Sequence, residues 1–193
     1  DLEANALNPL SGLYLNQNRF KEAFKMIERS IAIKNKTKDI RGLAFALYGR
    51  GKIYIKTKEY DLALRDLNAS MEIQQKVGDQ IGIAMCYVKL GALYYDQGKL
   101  DEAIKILKEA LTYGNKYNIA LVKFKCNLLM YKVYKKSGNI GKSLTFLEKY
   151  VKEREKVMNN QVQKIIGNYE SITLIESKER QSKLKNEKDE IIR

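Results

Sequence analysis

Two cysteines, thirteen tyrosines and a dense set of lysines and acids are the residues in this chain with chemistry to offer. The cysteines are Cys86 and Cys126. Two thiols cannot complete a four-ligand structural zinc site, and histidine, the usual co-ligand, is absent. The same absence excludes Ser-His-Asp and Cys-His nucleophilic sites. The stretch SGNIGKS, residues 137–143, has the look of a phosphate-binding loop. That loop needs four residues between its glycines, whereas Gly138 and Gly141 enclose two and no strand precedes them. YGRGKIY, residues 48–54, has too few glycines for a dinucleotide turn and lies within a helical pattern. No carboxylate pair stands isolated in an apolar setting, as general-acid chemistry wants. The expectation is a chain without catalytic residues, cofactor or metal, and not an enzyme.

These residues must be positioned by something, and the positioning element is a repeat. Shifted by forty residues, Gly91 falls on Gly51, Tyr94 on Tyr54 and Tyr134, and Ala103 on Ala63 and Ala23. Leu107 falls on Leu67 and Leu147, and the two cysteines fall on each other. Each copy reads as two helices. The first carries Tyr87, Leu90, Gly91 and Tyr94 at helical spacing; a polar turn follows, Asp96 to Lys99; the second buries Leu100, Ala103, Ile104, Leu107 and Leu111. Gly78-Asp79 reads as a helix stop and an N-cap, with Asp39 in the same slot one repeat earlier. Gly91 and Ala103 are small so that paired helices can approach closely. The cysteines lie on neighbouring stacked helices about 8–10 Å apart, too far for an easy disulfide, and are expected as buried free thiols. In repeat one, Pro9 is expected to interrupt the first helix, with Asn8-Pro9 as N-cap and first helical residue.

The chain has 193 residues with a formal net charge of +13, from 28 lysines and 8 arginines. Base-reading surfaces favour the bidentate arginine fork, so the lysine bias argues against nucleic acid and is compatible with an acidic partner. No apolar run nears the roughly 20 residues that span a bilayer. The sequence begins at Asp1, which is compatible with a processed or excised chain, so missing targeting signals carry no weight.

Glycines at 51 and 91, tyrosines three residues later, alanines twelve later and the run KLDEA together resemble tetratricopeptide repeats. The resemblance covers about residues 5–155, with repeats near 1–38, 39–78, 79–117 and 118–156. It is strongest in repeats two and three; in repeat four Ser143 replaces the alanine and Tyr131 the glycine. It implies an all-α fold, a right-handed superhelical solenoid of antiparallel helix pairs whose first helices line a concave face. The usual repeat is about 34 residues, so longer helices are expected here.

One residue on from the core stripe turns about 100° around a helix. The candidate groove residues are accordingly Tyr48, Lys52, Ile55 and Lys56, then Val88, Lys89 and Tyr95, then Leu128, Lys132, Lys135 and Lys136. They suit a protein or peptide ligand carrying acidic residues and apolar anchors. Some members of the resembled family clamp a partner's terminal carboxylate with lysine and asparagine. The matching positions, Asn8, Gly12, Tyr48 and Lys52, lack that order in repeat one, so chaperone-tail binding is not expected.

Past residue 156 the period fails. Val162, Ile165, Ile166, Tyr169, Ile172 and Ile175 make an apolar side expected to cap the last repeat. Beyond Glu176 charge dominates, with Leu184 and Ile191 seven apart, and residues 157–193 are expected as a capping and charged exit helix able to self-associate. Forty-residue repeats bearing D-x-x-G-x-A (Asp39 to Ala44, Asp79 to Ala84) before such a helix are similar to sensor regions of bacterial signalling proteins of the histidine-kinase or transcriptional-regulator type. The resemblance implies the sensory input or interaction module of such a protein, with an extracytoplasmic placement favoured. A standalone scaffold is the alternative.

Overall fold

The computed structural model describes residues 2–191, and side chains for residues 3–169 and a few positions up to 178. Eight helices follow one another: α1 (Leu2–Asn16), α2 (Phe20–Lys36), α3 (Ile40–Thr57), α4 (Tyr60–Lys76), α5 (Gln80–Asp96), α6 (Leu100–Lys116), α7 (Ala120–Lys136) and α8 (Ile140–Ile191). No strand occurs among the described residues. The fold is an all-α solenoid of stacked antiparallel helix pairs.

The turns repeat more finely than the forty-residue period. A left-handed residue stands every twenty positions: Asn18, Lys38, Lys58, Gly78, Gly98, Asn118 and Gly138, with φ from 49° to 77°. Each closes the helix before it in the same way. At Gly98 the Lys99 amide donates to the Tyr94 carbonyl at 2.9 Å and the Gly98 amide to Tyr95 at 3.0 Å. That pair of reversed bonds satisfies carbonyls that the helix end would otherwise leave open. After Lys38 and Gly78, Asp39 and Asp79 cap α3 and α5, accepting from the Gly42 and Gly82 amides at 2.8 and 2.9 Å.

Small residues set the spacing inside each pair. Ala23, Ala63 and Ala103 are fully buried. A Cβ on Gly91 would lie 2.6 Å from Leu107 Cγ, and Leu107 is itself fully enclosed. In repeat four the Ser143 hydroxyl faces the Tyr131 carbonyl at 3.5 Å. Neighbouring repeats are joined by apolar packing and by Arg50, which donates twice to the buried Asp66 carboxylate and once, at 2.8 Å, to Glu28 of the previous repeat. Cys86 and Cys126 are buried free thiols. Burial pushes them up to about 11 and about 12, so neither is a ready nucleophile.

Two expectations fail here. Helix α1 does not begin at Pro9 but runs from Leu2 through it. Burial of Ala4 and Leu7 against the core holds its first turns, and the Ala4 carbonyl accepts from Ser30 at 3.3 Å. The region after residue 156 is not a separate cap either. It continues α8 without a break, and every described side chain from Met158 to Tyr169 is exposed, as are Ile172 and Ile175. A straight continuation of the last helix carries its apolar residues away from the array instead of folding them back onto it. The side chains of Leu184 and Ile191 lie outside the described residues.

Candidate functional site

The first helices of the four pairs, α1, α3, α5 and α7, touch one another in succession, whereas α2, α4, α6 and α8 do not. The chain therefore curves toward the first helices, which form its concave side. Residues one turn apart on α3, Lys52 and Lys56, face the same way as Lys89 and Ala92 on α5 and Lys132 on α7. Together with Leu15, Asn16, Ile55 and Asp96 they enclose a cavity of about 330 Å³.

Four lysines and a single carboxylate line this space. Among the described residues none of the four lysines has an ion-pair partner, although Lys52 lies over the Tyr48 ring at 6.0 Å. Burial and crowding show in the proton affinities of Lys89 and Lys52. Burial, then repulsion from Lys52, Lys125 and Lys56, brings the Lys89 ammonium down to about 8, with Asp96 acting against the shift. Burial and Lys125 lower Lys52 as well. The Tyr48 phenol is raised by burial and stays neutral. Four like charges held together against a single carboxylate cost folding energy, and an anion entering the cavity would relieve that cost.

The structure thus brings Lys52, Ile55, Lys56, Lys89 and Lys132 round one cavity. Other candidates sit elsewhere. Val88 is not a groove residue: it is 2% exposed and packs among Ala84, Ala103 and Val122. Helix α5 is packed by four helices, α3, α4, α6 and α7, so a 100° rotation from its core stripe still points inward. Ile55 is buried and forms cavity wall instead of an exposed anchor. Tyr95 packs against the core beneath the Lys136 ammonium, 5.0 Å from its ring centre. Lys135 is exposed and hydrogen-bonds the Tyr131 hydroxyl at 3.4 Å, and Leu128 is half-buried away from the cavity. Sequence reasoning missed Phe45, one turn before Tyr48 and 54% exposed, because the stripe had been started at Tyr48.

Models of the tetratricopeptide repeat match residues 42–115 and 4–37. The chain belongs to the tetratricopeptide-repeat family. Its fold is shared with BtubC (BKLC) from P. vanneervenii, at TM-score 0.66 and 20% identity over 82% of this chain and 65% of that one. It is shared too with a Rap protein complexed with competence and sporulation factor, at TM-score 0.74 and 17% identity over 82% of this chain and 44% of that one. A third similar structure is the STAND protein with a tetratricopeptide repeat sensor from Pyrococcus horikoshii, at TM-score 0.68, 18% identity, and 83% and 25% coverage. The chain spans less than two thirds of the length of each. No curated protein matches by sequence. The tetratricopeptide fold is one suited to protein interaction, and its concave face here carries the unpaired lysines.

Proposed function

We propose that this tetratricopeptide array is a non-catalytic module that binds an acidic peptide segment on its concave face, as the input or interaction part of a bacterial signal-transduction protein. The observation that carries the reading is the cavity formed by Lys52, Lys56, Lys89 and Lys132, four cations drawn from three helices with no ion-pair partner among the described residues. A long-range positive field gathers acidic ligands, and desolvated lysines hold them. Two neighbours support the signalling part: the Rap protein was crystallised with competence and sporulation factor, and the STAND protein uses its repeats as a sensor. Because α7 lines the cavity and packs along α8, a ligand that shifts α7 has a direct mechanical route into the long helix.

A peptide array tests this. Immobilised peptides of varied composition, probed with the labelled chain, should give binders enriched in aspartate and glutamate, with binding that weakens steeply as salt rises. Enrichment of neutral or basic peptides would overturn the reading.

A further inference from the structure

The lysine cavity is one end of a longer trough. A second hollow of about 240 Å³ lies between α3 and α5, walled by Phe45, Tyr48, Ile81 and Met85. Phe45 and Ile81 are 54% and 57% exposed there, large apolar surfaces that the core does not use. A third cavity, of about 450 Å³ on the α1 side of α3, shares Phe45 and Tyr48 with this hollow and Lys52 with the lysine cavity. The hollow and the lysine cavity therefore follow one another along α3 and α5, from Phe45, Tyr48, Ile81 and Met85 to Lys52, Lys56 and Lys89, with the third cavity beside them.

The apolar end is confined to two repeats. The slot of Phe45 holds Met85 in repeat three but Asn5 in repeat one and Lys125 in repeat four. Bulk is present only where the hollow is. The third cavity has a polar wall of its own, since Asn8 lines it and its Oδ1 is buried without a hydrogen-bond partner among the described residues. A peptide N–H passing through would satisfy that oxygen. Asp79 also borders the hollow, where its Oδ1 accepts from the Gly82 amide at 2.9 Å as the cap of α5.

We infer that the hollow between α3 and α5 seats one large apolar side chain of the ligand, spaced from its first acidic residue by a fixed register. This rests on the acidic-peptide reading above and adds a second recognition point to it. The spacing follows from geometry. Phe45 and Lys52 are seven residues apart on a helix, roughly 10 Å at about 1.5 Å per residue. An extended peptide covers that in about three residues. The ligand is a peptide with leucine, methionine or phenylalanine three positions from an acidic run. Charge assigns the acids to the lysine end, and the apolar residue takes the other.

Four fluorescein-labelled hexapeptides test the register by anisotropy. One carries leucine three residues before a run of three aspartates, one has the reverse order, and in two controls serine replaces leucine. Leucine should tighten binding at least about fivefold over serine in one of the two orders, the gain expected for burying most of such a side chain. In the Phe45→Ser variant, whose exposed position spares the core, that ratio should fall to about one. Moving leucine by one residue should erase it as well. If leucine and serine peptides bind alike, the apolar subsite is wrong while acidic-peptide binding stands. If none of the four binds, the acidic reading falls and the subsite falls with it.

Discussion

At the scale of single residues, Lys89 is placed where an amine costs the fold stability. Its folded proton affinity lies at about 8, against an ordinary 10.5, because burial and three lysines disfavour its charge. The unfolded chain therefore binds more protons than the folded one between those values, and this group's contribution to stability rises as pH climbs from about 8 toward 10.5. Lys89→Met should raise the unfolding free energy at pH 7 by about 1–3 kcal/mol, measured by urea titration. An acidic ligand favours the charged amine, so peptide affinity should fall as pH rises through 8 in the wild type and lose that dependence in Lys89→Met. A merely structural lysine would not move both readouts. Arg50 shows the opposite case, an ion pair that the fold satisfies. The slots of Arg50 and Asp66 hold Leu90 and Ile106 in repeat three, an apolar pair in the same place. Arg50→Leu alone should cost about 3 kcal/mol by leaving Asp66 buried and unpaired, whereas Arg50→Leu with Asp66→Ile should be neutral or stabilising in the same titration.

At the scale of elements, the forty-residue period was readable because packing demands it: Gly51, Gly91, Ala63 and Ala103 keep paired helices close, and a Cβ on Gly91 would lie 2.6 Å from Leu107. The twenty-residue turn was not readable. Its left-handed slot is filled by glycine, asparagine and lysine in turn, so the geometry repeats while the chemistry does not. Lys38 and Lys58 hold that conformation at a steric cost. Lys38→Gly and Lys58→Gly should each add about 1 kcal/mol to stability, and Gly98→Ala should remove about as much, read from thermal melts. Helix α8 was readable as helix but not in its direction. An apolar side of a helix says that something can cover it, not that the same chain does. Ile165, 66% exposed, supports nothing within the described residues. Ile165→Lys with Ile172→Lys should change the unfolding free energy by no more than about 0.5 kcal/mol, the range typical of surface changes, read by urea titration, and a large loss would restore the cap.

At the scale of the whole molecule, the lysine cavity comes from curvature. No single repeat holds a site; α3, α5 and α7 each supply lysines that the superhelix turns toward one space. Helical geometry alone placed Lys52, Lys56, Lys89 and Lys132 on the face where they line one cavity. It could not show that α5, enclosed by four neighbours, would bury Val88, nor that the trough would extend one turn back to Phe45. The claim that this concave face binds acidic peptide is tested most directly by titrating a labelled acidic peptide into the wild-type chain and into Lys52→Glu with Lys132→Glu, at matched ionic strength. Both substitutions replace side chains that open on the cavity, so folding should persist by circular dichroism. Affinity should fall at least about tenfold, the loss expected when two charge-assisted contacts become repulsive. Equal affinity in the folded double variant would contradict the account.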